Sequence, residues 1–361
     1  MRRRLYLLRV VLVCVVAIFA ARGVLVADGM MVPPRDYDGS IEEHAQEAVI
    51  IFHGGKTPGD AVEDLILKIT VQGKADAFAW VIPFPTEPVA AKEDAKLFRE
   101  LFDYVQARTQ TRGKRPGAKG TFGDSPTPAA EAVTVLSRRI VGKYDVAMVR
   151  ENVPGSLNKW LTDEGYQSLP NAEDVIGFYR GKGYVFACVK VNESELSKVQ
   201  TADLHPLRFT FKTGGRDGVY FPMKMTGLQQ SPFNVNLYVF YRFWLNDHVS
   251  RFGYEHRGFT LKYRDWDTAN CKPNGGKAYS FARLDPFLKG LARRIPTVEK
   301  LFQTLHPGER YYLTNIQASG LEPAAVRNWA DDLWLFPYYT DRSFVPYDAR
   351  AGACAAAAYA Q

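Results

Sequence analysis

The sequence predicts a β-rich α+β protein, with antiparallel, sandwich-like sheets and several helices packed on them. Three observations lead there. Phe and Tyr number 22 and 19 among 361 residues, and such rings suit a pleated, half-buried surface. Apolar residues alternate with period two in many short runs, and only a few segments switch to helical spacing. Hydrophobic content of 46% with 24% charged residues is that of a globular chain and excludes a disordered one.

The first segment sets the location. "MRRRLYLLRVVLVCVVAIFAARG" opens on arginines and runs into an apolar stretch whose charge-free part, Val10 to Ala21, is 12 residues long. A secretory h-region takes about 7–15 residues, whereas a membrane span takes about 20. Residues 1–27 therefore read as a signal peptide cut near 23–27, and the protein as exported to the periplasm or beyond. The alternative is an uncleaved anchor from Leu5 to Val26 in the cytoplasmic membrane, which would be the chain's one membrane contact.

Domain organisation follows from composition. Residues 28–107 form an N-terminal sheet plus helix, 108–130 a basic Gly/Pro-rich loop or linker, and 131–345 a β-rich remainder, as the same or a second domain. Residues 346–361 form an Ala-rich frayed tail.

Within the first unit, "EAVIIFHGG" is a strand closed by glycines. In "EDLILKITVQGKAD", Leu65, Leu67, Ile69 and Val71 share one face, with Lys68 and Thr70 on the other. "ADAFAWVIPFPTEP" sets Phe78, Trp80, Ile82 and Phe84 against Ala77, Ala79, Val81 and Pro83. One face is bulky and the other small, so the bulky face is expected in a core rather than as an exposed stacking platform. Pro83 and Pro85 lack ladder donors, which ends pairing near them or leaves that part on an edge. Short connections suggest that these three strands form an antiparallel meander. "AAKEDAKLFRELFDYVQAR" then changes period, with Leu97, Leu101 and Val105 beside Phe98 and Phe102 as an amphipathic helix.

The second unit begins with a hairpin candidate, "AVTVLSRRIVGKYDVAMVR", turning near Gly142-Lys143. "GSLNKWLTDEGY" reads as a helix capped by Ser156, and "NAEDVIGFYRGKG" as one ended by glycine. Strands follow at "YVFACVKVN", "PLRFTFKTG", "GVYFPMKM" and "NVNLYVFYRFW". "DPFLKGLARRI" and "TVEKLFQTL" are helical, "RYYLTNI" is a strand, and a helix starts from Glu322.

The net charge of +7 is unevenly spread. Arg2, Arg3, Arg4, Arg9 and Arg22 lie in the leader, and Arg108, Arg112, Lys114, Arg115 and Lys119 in the loop, leaving −3 elsewhere. A nucleic-acid binder carries its basic residues on a folded face, so no nucleic-acid partner is expected.

The succession of an exported leader, "ADGMMVPP", "EAVIIF", "EDLILKITVQGKADAFAWVIPFPTEP", "SLNKWLTDEGY", "YVFACVKV", "HPLRFTF" and "VYFPMKM" resembles the bacterial exported proteins grouped as domain of unknown function 2330. The resemblance runs from Asp28 to Phe243 and is densest between Val62 and Pro88. It implies a secreted or envelope-associated location and no particular reaction, cofactor or site residue. Members often carry cysteines after the leader or a C-terminal membrane segment, and neither pattern occurs in this sequence.

A direct census of chemistry is thin. Gly-x-Ser-x-Gly is absent, "FHGGK" reads as a turn, and "RGKRPGAKG" fails the spacing of a phosphate loop. His44, His53, His205, His248, His256 and His306 form no helical metal pair. Asp265, Asp267 and Asn270 offer oxygens at calcium-like steps, as do Asp36 and Asp38 with Ser40, but both runs lack the glycine and distal glutamate of a calcium loop. His248 beside Asp247 and His256 beside Glu255 become acid/base pairs only if the fold places them in a cleft. Cys188 reads as a buried small hydrophobe, and Cys271 and Cys354 as a disulfide that spacing alone leaves open. No catalytic residue or cofactor is expected, and the partner is unknown, with an envelope component as the candidate. The functional expectation is a non-catalytic binding or scaffolding module of the cell envelope, the alternative an envelope hydrolase whose site is assembled from distant residues.

Overall fold

The structure is a computed structural model that describes residues 29–37, 45–53, 58–68, 78–109, 133–191, 205–216, 218–241, 245, 254–264, 266–267, 272–273, 279–280, 296–305 and 310–336. The leader, the 108–130 loop beyond Thr109, "DPFLKGLARRI", His44, His248, His306, Asp265, Asn270, Cys271, Cys354 and the tail lie outside these residues.

Elements occur in the order β1 (Met30–Val32), β2 (Ala45–His53), β3 (Val62–Leu67), β4 (Phe78–Phe84), β5 (Val89–Lys92), α1 (Lys96–Thr109), β6 (Val133–Val141), β7 (Tyr144–Glu151), α2 (Ser156–Asp163) and α3 (Glu173–Gly181). There follow β8 (Val185–Val191), β9 (Leu207–Lys212), β10 (Val219–Phe221), β11 (Phe233–Tyr241), β12 (Thr260–Arg264), β13 (Trp266–Asp267), β14 (Lys272–Pro273) and β15 (Tyr279–Ser280). Last come α4 (Pro296–Leu305), β16 (Arg310–Leu321), α5 (Pro323–Arg327) and β17 (Leu333–Leu335).

Two large sheets form. The five-stranded one runs β1-β4-β8-β7-β6, and the eight-stranded one β12-β16-β11-β2-β3-β9-β5 with β15 on β16. Among the described residues pairing is antiparallel except where β11 lies parallel to β2. The α+β, β-rich reading holds. The meander does not: β2 and β3 pair, but β4 leaves them for the other sheet and lies between β1 and β8. Its apolar residues on both sides explain the departure, because all seven positions of β4 are buried. Such a strand needs cover on both faces.

Side-chain alternation divides the core into layers. Ala48, Ile50, Phe52, Leu65, Leu67, Phe209 and Phe211 join a large cluster with Phe78, Trp80, Ile82 and Phe84. Their opposite-facing neighbours Val49, Ile51 and Ile66 meet Leu97, Phe98 and Leu101 of α1 and Val298 and Phe302 of α4 in a second cluster. The eight-stranded sheet is thus sandwiched between a sheet and a helical layer. Trp80 is fully buried, as the core reading of its stretch requires. Pro83 pairs with Phe186 on β8, beyond the last residue of β4 that β1 reaches, so the donorless proline sits where only one neighbour needs it.

Local corrections have local causes. Gly155 rather than Ser156 precedes α2, at φ 78°, a left-handed value that glycine takes without strain, and the Ser156 hydroxyl turns back to the Val153 carbonyl at 2.7 Å. Lys92 closes strand β5 instead of lying on a helix, because the chain enters α1 only after Asp94, whose carboxylate accepts the Lys96 N–H at 2.9 Å. The hairpin turns at Gly142 as expected, with φ 61°. "GVYFPMKM" supplies a strand of only three residues, and the helix after Glu322 is five residues long. Asp267, of the calcium-like run, pairs through β13 with Lys272.

Candidate functional site

The short antiparallel pair β10/β17 builds the site. It sets Tyr220 opposite Trp334 and Phe221 opposite Leu333. Immediately before β17 the chain reads "ADD", and its two acids turn in different directions. Asp332 points inward and is 2% exposed. Its carboxylate accepts from the Tyr179 hydroxyl at 2.8 Å, the Tyr220 hydroxyl at 3.0 Å, and the backbone N–H groups of Met223 and Lys224 at 2.9 Å each. Burial still outweighs these donors and holds the Asp332 carboxyl above the ordinary carboxylate value. The same burial, with Asp332 close by, raises the Tyr179 and Tyr220 phenols well above theirs.

Asp331 turns toward solvent and is shared between two cations. Lys182 donates to it at 2.8 Å and Arg216 at 2.8 Å, and together they hold its carboxyl below the usual range against the effect of burial. The Arg216 guanidinium lies over Trp334, 4.6 Å from the ring centroid. The Lys224 ammonium is spent on the carbonyls of Arg327 and Trp329, both at 2.6 Å, which ties α5 to the loop after β10.

Above this floor sits the short 3-10 turn Tyr254–Arg257, closed by Gly258 at φ 81°. It brings His256 and the half-buried Arg257 to the same place, with the Arg257 guanidinium 4.7 Å from the Trp329 ring centroid. The result is a cavity of about 560 Å³ lined by Arg216, His256, Arg257, Ala330, Asp331, Asp332, Trp334 and Phe336. That volume falls within the roughly 300–1,000 Å³ of small-molecule sites.

His256, which the sequence paired with Glu255, does reach this cleft, whereas Glu255 is not part of its lining. The chain positions Arg216, Arg257, Asp331 and Asp332 without any motif that marks them. The one local signal is an acid doublet directly before the apolar run "LWLF". Among the described residues no group of three His, Cys, Asp or Glu side chains is placed to hold a metal ion. Cys188 is buried and unpaired, and burial pushes its thiol up, which leaves it inert.

A second ionic cluster has a different character. Arg138 grips Asp145 at 2.6 Å and Glu164 at 3.0 Å, and Lys190 pairs with the same Glu164. Burial first, then Arg138, lowers the Lys190 ammonium to about 8. Two cations meet two acids there, so the cluster is internally matched and serves the β6-β7-β8 sheet.

The family model described as an uncharacterized protein conserved in bacteria, domain of unknown function 2330, matches residues 27–360. The chain belongs to that family. The match extends past Phe243, where the visible resemblance stops, through the residues that build the cavity. No curated protein matches the chain. Among solved structures, that of baculovirus P35 is similar over 78% of this chain and 92% of its own, at 10% identity and a TM-score of 0.37. A likeness that remote carries no weight for this family member's function.

Proposed function

We propose that the chain is exported and acts as a non-catalytic binding or scaffolding module of the bacterial envelope, with the β10/β17 cavity as its binding site. The leader supports export: arginines precede an apolar stretch of signal-peptide length. One observation carries the binding role. The acids of the cavity are committed to its walls, Asp332 to four donors and Asp331 to Lys182 and Arg216, while Arg257 rests on an indole at the rim. A cleft whose carboxylates hold its own wall is organised to receive a ligand rather than to shuttle protons.

The test is to recover the protein from fractionated cells. Export predicts an envelope fraction whose N-terminus has lost the first 23–27 residues or so. Native mass spectrometry should then find a small molecule retained by the wild type and absent from Ala330→Trp, which fills the cavity from its rim. Full-length protein in the cytosol would remove the location, and equal retention by both proteins would remove the site.

A second reading, an envelope hydrolase, is favoured by one feature: His256 lies in a cavity with two aspartates. It requires a hydrolytic activity that His256→Ala abolishes without unfolding the protein.

A further inference from the structure

Arg257 is the cavity's distinctive group. Its side chain is half-buried, and the 3-10 turn Tyr254–Arg257 lays the guanidinium on the Trp329 ring. The guanidinium is planar, so over the ring it still has N–H donors in one plane to offer a planar acceptor. Among the described residues no hydrogen bond or ion pair engages those donors. Asp331 attracts it through space, but Asp331 is bonded to Lys182 and Arg216. Burial therefore disfavours the Arg257 cation, and an incoming anion would relieve that cost. The lining sets Arg216 and Arg257 against Asp331 and Asp332, but Asp332 is bonded to four inward donors and Asp331 to Lys182 and Arg216, so among the described residues Arg257 is the lining cation with no acid bonded to it. Trp334 and Phe336 supply flat apolar wall beside these cations.

We propose that the cavity recognises a small organic anion, a carboxylate or phosphate head on a flat ring, with the head on the N–H edge of Arg257 and the ring against Phe336 and Trp334. This rests on the reading of the cavity as a binding site and names what enters it. Arg216 acts as a positioning residue, held over Trp334 by Asp331 so that the wall keeps its shape when the head group arrives. The head must be planar or multidentate, because a stacked guanidinium offers parallel donors in one plane. Neutral ligands of the same size leave the rim cation uncompensated and bind more weakly.

Calorimetric titration of the purified full-length chain tests this with four probes: sodium benzoate, phenyl phosphate, benzyl alcohol and inorganic phosphate. The first two separate a carboxylate head from a phosphate head. At least one should bind, and Arg257→Gln should weaken it by about tenfold or more, the loss expected for hydrogen bonds to a charged group. Benzyl alcohol should bind at least about tenfold more weakly than the preferred anion by the same reasoning. Equal binding of benzyl alcohol would overturn anion recognition and leave the cavity as a binding site. Inorganic phosphate binding as tightly as phenyl phosphate would overturn the ring. Binding by none of the four would overturn the inference, and ligand retention by wild type against Ala330→Trp would still judge the broader reading separately. Should Arg257→Gln fail to fold, Ala330→Trp must abolish benzoate or phenyl phosphate binding, and unchanged binding there sinks the site.

Discussion

The Tyr220 hydroxyl lies 3.0 Å from Asp332 Oδ2 and equally 3.0 Å from the Pro83 carbonyl oxygen. The Tyr220 backbone N–H donates to Glu63 Oε2 at 2.7 Å. One residue of the β10/β17 pair thereby reaches β3 of the eight-stranded sheet and β4 of the five-stranded one. This buried polar knot fixes the floor of the cavity where three sheets meet, a place where hydrophobic contact alone would leave the angle between them loosely specified.

Removing the hydroxyl tests the knot with little change in volume. Tyr220→Phe removes the single proton that Asp332 and the Pro83 carbonyl share, so it should cost about 1–3 kcal/mol. Denaturant unfolding would register this as a lower midpoint at unchanged slope. A midpoint within error of wild type would mean that the hydroxyl contributes nothing net.

Asp332→Ala should be worse. It strands the Tyr179 hydroxyl proton and two backbone N–H groups in the interior, while the Tyr220 hydroxyl keeps the Pro83 carbonyl, for a loss of roughly 3 kcal/mol or more. Asp332→Asn keeps an acceptor oxygen and should cost about half as much by the same reasoning. Equal loss in the two variants would show that charge, not hydrogen bonding, is what the site needs.

The pH dependence follows from the buried acids. Burial raises the Glu63 carboxyl well above its ordinary value, and one of its oxygens, Oε1, has no hydrogen-bond partner among the described residues. A folded value above the unfolded one means that the native state holds more protons between the two. Stability from Glu63 and Asp332 is then full below the ordinary carboxyl range and declines as pH rises toward their elevated native values. Asp331, held low by Lys182 and Arg216, works oppositely, its contribution being lost as pH falls below that range. Glu63→Gln should flatten the decline on the alkaline side and raise stability at pH 8 relative to wild type. Thermal unfolding across pH checks this, and a uniform loss at every pH would contradict it.

Trp80 carries the core of the five-stranded sheet, and Trp80→Ala should cost about 3–5 kcal/mol. Urea unfolding measures it, and a cost under about 1 kcal/mol would be that of a surface position. The burial of this residue was legible in the sequence because bulky side chains recur at every second position from Phe78 to Phe84. The partner of its strand was not. β4 pairs with β8 about a hundred residues later, and the parallel β2/β11 contact spans a longer interval still. Alternation fixes which face is buried and says nothing about which strand lies alongside.

Glu63 shows the same division. Alternation through Leu65 and Leu67 puts it on the inner face of β3, so its burial follows from spacing even though its charge suggests exposure. What receives it, the Tyr220 N–H, comes from a strand far along the chain. The cavity was illegible for that reason: its lining comes from residues 216, 256–257 and 330–336, which no motif joins. Only His256 stood out beforehand, for its acidic neighbour, and the fold gives it other company.

The central claim is that Arg257 serves the ligand while Asp332 serves the fold. Native mass spectrometry of the full-length chain, titrated with benzoate or phenyl phosphate and run beside thermal unfolding, separates the two roles. The account predicts that Arg257→Gln keeps the wild-type melting temperature and loses the bound anion, whereas Asp332→Ala loses the melting temperature first. An Arg257→Gln protein that melts early but still carries the anion would contradict it.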